Sequence, residues 1–325
     1  MWGELAPPTA PQGRLCHGRG MEFLTQQVVN GLTLGSVYAL IALGYSMVYG
    51  ILKLLNFAHG EVYMVGAFIG YGVLTVLGGA ADPAIAVPLL IVAMFLAAML
   101  GCGLLGVAIE RFAYRPLRDA PRIAPLISAL GVSFFLQSSA LLLFTARFRS
   151  YDTPKLISFQ TGLDVGPLRI SLVRILVIVT AAAMMVALSL LVGRSRLGRA
   201  IRATAFDREA AAMMGVDVDR VIVATFFIGS ALAGAGGVMF GLVFSNVYHL
   251  MGFTAGLKGF TAAVVGGIGS VPGAMLGGLL IGLAEAFAAG YVSSTFQDLI
   301  VFLILVAVML VRPRGLLGAA VLDKV

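Results

Sequence analysis

Charge is scarce in this chain. Asp, Glu, Lys and Arg make up 11% of its 325 residues and hydrophobic residues 60%, with a mean hydropathy of +1.01. That profile excludes an ordinary soluble globular domain. Cysteine is almost absent: Cys16 and Cys102 stand far apart, the second inside an apolar run, which excludes a disulfide framework or a thiolate metal site. The histidines are scattered, and there is no HExxH, no metal-spaced cluster, no Ser/His/Asp or Cys/His arrangement and no GxxxxGK[ST] loop. The residues therefore make no case for an intramembrane enzyme, a metal, a bound cofactor or nucleotide hydrolysis by this chain. The net charge of +7 alone would suit nucleic acid, but the cations gather at the ends of apolar runs, as membrane topology requires, and no nucleic-acid partner is expected.

Apolar runs occur at about 23–50, 57–77, 84–109, 123–146, 170–192, 221–244, 260–291 and 298–311. Lipid offers no partners to backbone N–H and C=O groups, so runs of this length are helices and the fold class is all-α, a polytopic membrane bundle in contact with the lipid bilayer. The run 260–291 is interrupted by GGIGSVPGA, Gly266 to Ala274, and reads as two short helices or a re-entrant segment within 256–291. Arg111, Arg115, Arg118 and Arg122 form one basic cluster, Arg194 to Arg220 a second, and Arg312 with Arg314 a third. All three belong on the cytoplasmic side, which needs an even number of crossings between the second and the third, so the broken run counts as two and the total is 8–9. The N-terminus then lies outside and Lys53 inside. The loop 147–174, basic through Arg147, Arg149, Lys155, Arg169 and Arg174, falls outside and conflicts with the rule. Residues 1–20 lack the apolar core and cleavage pattern of a signal peptide; they read as a non-conforming lead, and Met21 is a candidate start of translation.

The longest polar stretch is 193–220. Within it a helix is expected over Ala205 to Met214, with Thr204 as N-cap, Asp207 as a capping-box-like partner and Gly215 just past the end. Asp207 and Glu209 fall in its first turn, and Phe206, Ala210, Met213 and Met214 form an apolar stripe. That stripe either folds back onto the membrane domain or serves as a knob for another protein, and the residues leave both readings open.

Polar residues also stand where lipid belongs. Asn56, His59 and Glu61 lie in NFAHGE, Gln137 with Ser133 and Ser138 in the fourth run, Asn246 and His249 after the sixth, Lys258 before the break and Glu285 after it. Such groups are costly at membrane depth and face a bundle interior or a solute route. Together they place a route between NFAHGE and the broken segment, where Gly266, Gly267 and Gly269 open the backbone and half-helix ends offer N–H groups to an anion. Each also has a structural alternative: Asn56 as a cap of the second helix, Glu61 as a first-turn stabiliser. Small residues at every fourth position, Gly229, Ala233, Gly237 and Gly241, with Gly31/Gly35, Gly66/Gly70, Gly273/Gly277 and Gly278/Gly282, are either tight packing within one bundle or a docking face for a second subunit.

Gly198 to Val221 (GRAIRATAFDREAAAMMGVDVDRV) resembles the cytoplasmic loop of the permeases of branched-chain amino acid ABC transporters, of the high-affinity "H" type. Asn30 to Met64, Glu110 to Arg118, Leu126 to Gln137 and Lys258 to Ala286 resemble the same family, and the likeness runs from about Met21 to the C-terminus. It implies one permease domain, 21–325, in a bacterial inner membrane, its loop 193–220 coupled to ATPases. The implied partners are a second related permease, two ATPase subunits that bind ATP and Mg, and a periplasmic protein that delivers leucine, isoleucine or valine. Permeases for urea, short-chain amides and other amino acids share these motifs and form the alternative reading. An ion-coupled carrier using Glu61 or Glu285 is a further rival.

Overall fold

The computed structural model describes residues 12–77, 83–118, 120–121, 123–151, 162–165 and 168–318. The first part of the lead, 1–11, lies outside the described residues, as do the side chains of 12–20, Arg122 and residues 152–161 of the basic loop. Helices dominate: α1 Gln12–Leu52, α2 His59–Leu77, α3 Pro83–Ile109, α4 Ile123–Phe144, α5 Leu172–Arg194, α6 Arg196–Phe206, α7 Arg208–Met213, α8 Val218–Phe244, α9 Met251–Gly266, α10 Val271–Phe287 and α11 Gln297–Val311. Four short strands, β1 Arg149–Ser150, β2 Gly162–Val165, β3 Leu168–Ser171 and β4 Asn246–Val247, form two antiparallel pairs, β1 with β4 and β2 with β3. The chain is an all-α polytopic bundle. Seven of its described helices are long and apolar enough to cross a membrane, and α11 is shorter.

The centre is α1 and α8, with α10 packed along α1. A helix apolar on every side must be surrounded, and α1 is buried from Val37 to Leu43. Its few hydroxyls are absorbed locally: Thr33 Oγ1 donates to Val29 O at 2.8 Å and Ser36 Oγ to Leu32 O at 2.7 Å. The small-residue positions pack within the chain. Gly31 and Gly35 face Leu283 and Leu279, Gly278 meets Ala39, and Gly66 lies so close to Gly234 that a Cβ there would come within 2.4 Å of its Cα. These ridges join helices of one bundle rather than docking a second subunit. By contrast α4 and α5 turn most of their apolar surface outward.

The sides are fixed by contacts at the helix ends. Arg115, in the helical turns that follow α3, pairs with Asp219 at the start of α8 at 2.7 Å, and Arg118 pairs with both Asp219 and Glu110. Arg208 reaches the last turn of α1, Gly269 lies against Gly50, and Gly267 packs on Gly315 and Gly318 beyond α11. All three basic clusters therefore share one end of the bundle. The broken run is two helices, α9 and α10, running antiparallel with Gly266 against Gly273, and the even crossing number follows. β1 and β4 meet at the other end, so the basic loop stays there despite its charge; Arg149 is engaged by Phe144 O at 3.0 Å and Arg174 by Asn30 Oδ1.

Candidate functional site

The polar stretch forms two helices in place of the one expected over Ala205 to Met214. Ser195 is the N-cap of α6, its Oγ accepting from Gly198 N at 2.9 Å. The helix then runs through Thr204, which is buried in the last turn and caps nothing. Asp207 is the residue that leaves helical geometry, at φ −152° and ψ 114°, and its carboxylate accepts from Glu209 N at 3.0 Å and Ala210 N at 3.1 Å. Thr204 cannot cap because α6, started at Ser195, already runs through it, and Asp207, an anion favoured at a helix N-terminus, caps the next helix instead. Gly215, at φ 84°, ends α7 as the sequence implies.

Both helices leave their largest apolar groups in water. Phe206, Met213 and Met214 are 80%, 82% and 85% exposed, and Glu209 and Ala210 are exposed beside them. Gly198, Ile201, Thr204 and Ala211 are the buried side of the pair, and Leu197, Ala200 and Ala205 pack partly against the core. A tether that sequence reasoning missed holds this projection: Arg208 donates from Nε and Nη2 to Ile51 O at 3.1 and 2.5 Å. Burial first, and the Arg118 guanidinium second, pull Arg208 below the usual arginine pKa; burial and Arg208 do the same to Lys53. On the same basic side a cavity of about 670 Å³ opens between Val107 of α3, Arg115 just past it, Leu197 of α6 and Asp219 and Phe227 of α8.

The polar groups at depth divide into separate clusters. Asn56 is a cap: its Oδ1 accepts from Ala58 N at 3.1 Å and from Tyr114 Oη at 3.2 Å. His59 is buried under Tyr45, ring centroids 4.8 Å apart, with Nε2 against Gly44. Glu61 and Gln137 do come together, Gln137 Nε2 donating to Glu61 Oε1 at 2.6 Å, and Ser133 Oγ donates to the same oxygen at 3.3 Å. Lys258 and Glu285 also meet, at 2.7 Å, and Asp298, unforeseen from sequence, completes the cluster at 2.7 Å from Lys258 Nζ. Asn246 is exposed at the far end, in β4, and joins none of these.

The break corrects one expectation. Gly267 and Gly269 do adopt left-handed backbone, at φ 109° and 91°, but the half-helix ends are not open to an anion. Gly269 N donates to Ser46 Oγ at 2.9 Å and Gly273 N to Ser270 Oγ at 3.2 Å. On the α9 side, Val265 O and Gly266 O accept from Leu316 N and Leu317 N at 2.9 Å each. Buried backbone groups must find partners, and here α1 and the segment after α11 supply them. NFAHGE instead meets the first turns of α9, Gly60 lying against Gly252 and Gly256.

Known proteins are similar in sequence over most of this chain. Residues 27–309 match the family described as branched-chain amino acid transport system / permease component. The high-affinity branched-chain amino acid transport system permease protein BraD of Pseudomonas aeruginosa is 46% identical over 301 residues, 92% of this chain and 97% of that one. LivH of Escherichia coli K12, of the same description, is 43% identical over 308 residues, 93% and 98% of the two chains. The probable permease protein LivH of Methanocaldococcus jannaschii is 25% identical over 295 residues, 87% and 89%. A buried glycine-packed bundle, polar clusters at membrane depth and an exposed apolar projection on the basic side thus accompany a family match over most of the chain: this protein belongs to the branched-chain amino acid transport system permease component family.

Proposed function

We propose that this chain is the inner-membrane permease subunit of an ATP-binding-cassette importer for leucine, isoleucine and valine. It pairs with a second, related permease and with two ATPases that bind ATP and Mg, and a periplasmic binding protein delivers the solute. The observation that carries the coupling is the exposed projection formed by Phe206, Met213 and Met214. Large apolar groups clustered on a polar, basic face mark a protein interface, and the Arg208 tether to Ile51 O connects that face to α1. Ser46 of α1 in turn holds the α9–α10 break. Closure of the ATPases pushes α6 and α7, α1 transmits the displacement to the break, and the path along Glu61 and Gln137 opens to one side at a time. The names of the relatives support the substrate class.

Met213→Asp tests the coupling. Met213 is in solvent in the isolated chain, so the variant inserts and folds as wild type, whereas in the complex it places a charge in a desolvated contact. The expected result is loss of ATP-driven leucine uptake together with failure of the ATPases to co-purify with the chain. Wild-type uptake and co-purification would remove the projection from the mechanism.

A further inference from the structure

Two carboxylates are buried at membrane depth, and the chain treats them differently. Glu285 has its cation built in, Lys258 at 2.7 Å. Glu61, 1% exposed, has no ion pair among the described residues. Its Oε1 is taken by Gln137 and Ser133 at 2.6 and 3.3 Å, and its Oε2 has no hydrogen-bond partner among the described residues. The wall opposite Oε2 is Gly252, the second residue of α9; a Cβ built there would stand 2.4 Å from Oε2. Any other residue at 252 would cover the oxygen, and glycine leaves it accessible once α9 moves off α2.

A carboxylate buried without a counter-ion is strongly disfavoured, and a cation with a matching donor offsets that cost. Resting on the reading of the chain as an amino-acid permease, we propose that Glu61 Oε2 is the subsite that takes the α-ammonium group of the transported amino acid. The chemistry fits the solute's amine. An ammonium has three donors and no acceptor, suited to an oxygen with free lone pairs, and the glycine wall of Gly60, Gly252 and Gly256 leaves room beside it once the helices part. Gln137 and Ser133 position the carboxylate from α4 by fixing Oε1, so that Oε2 is the oxygen left to bind. The subsite is closed in this structure by the Gly60–Gly252–Gly256 contact, and it becomes a site when α2 and α9 separate.

The test uses the whole complex in proteoliposomes, with labelled leucine and labelled urea run in parallel. Glu61→Gln keeps the size and one hydrogen-bonding oxygen but removes the charge. Leucine uptake should fall by about tenfold to a hundredfold, the factor set by loss of one charge-assisted hydrogen bond. Glu61→Asp should recover part of it, and neither variant should show a lowered thermal midpoint. An infrared difference spectrum on delivery of leucine should show a perturbed carboxylate band in wild type that Glu61→Gln lacks. Unchanged leucine uptake in Glu61→Gln, or lost uptake with a lowered thermal midpoint and no carboxylate band in wild type, would overturn the assignment while leaving the permease reading intact. A wild-type complex that moves urea and not leucine would overturn the substrate class, and this subsite with it.

Discussion

Replacing Lys258 with methionine removes the cation shared by Glu285 and Asp298, each 2.7 Å from Nζ, and the consequences follow from burial. Lys258 and Glu285 are buried and Asp298 is half exposed. Methionine fills the space of the lysine stem, so little packing is lost, but Glu285 is left inside the bundle without a counter-ion. Breaking a buried pair from one side costs about 3–5 kcal/mol, and Lys258→Met should lower the thermal midpoint of the purified chain accordingly. Adding Glu285→Gln removes the stranded charge, and the double variant should recover most of that loss. Asp298→Asn should cost about 1 kcal/mol or less, since water screens the exposed partner. The assay is a double-mutant cycle by thermal unfolding in one detergent. Additive losses for Lys258→Met and Glu285→Gln, or an Asp298→Asn loss as large as that of Lys258→Met, would refute the buried-pair account.

Two further variants probe the frame. Arg208→Ala should leave folding nearly unchanged but weaken ATP-driven uptake severalfold, because α7 loses its hold on Ile51 O; uptake equal to wild type would show that α1 is not the linkage. Gly66→Leu should prevent stable insertion or lower the thermal midpoint sharply, since its Cβ alone would meet the Gly234 backbone at 2.4 Å and overpacking typically costs about 1–3 kcal/mol or more; a wild-type midpoint would place the α2–α8 contact elsewhere.

The fold was legible wherever a single physical demand dominated. Apolar length gave the helices, cation placement gave their direction, and Gly267 with Gly269 gave the break between α9 and α10, because only glycine tolerates those backbone angles. Even the parity of crossings could be worked out from Arg194 to Arg220 and Arg312. The coupling segment was legible as an exposed apolar surface but not in its detail. Thr204 and Asp207 are both good caps, and the choice between them depended on whether α6 already ran through Thr204, which Ser195 decides. Long-range pairings left no local trace: nothing near Ile51, Ser46 or Asp298 announces Arg208, Gly269 or Lys258. Asn56 as a cap was legible locally, through Ala58 N, whereas its second partner, Tyr114, 58 positions away, left no trace in the sequence. The expectation of open N–H groups at the break failed for a similar reason, since Ser46, remote in sequence, occupies one of them.

The most direct test of the account is uptake of labelled leucine by cells with and without this chain, with labelled urea measured in parallel. Loss of leucine uptake without the chain, restored by the wild-type chain and not by Met213→Asp, is the predicted result. Unchanged leucine uptake with lost urea uptake would contradict the substrate class while keeping the permease architecture.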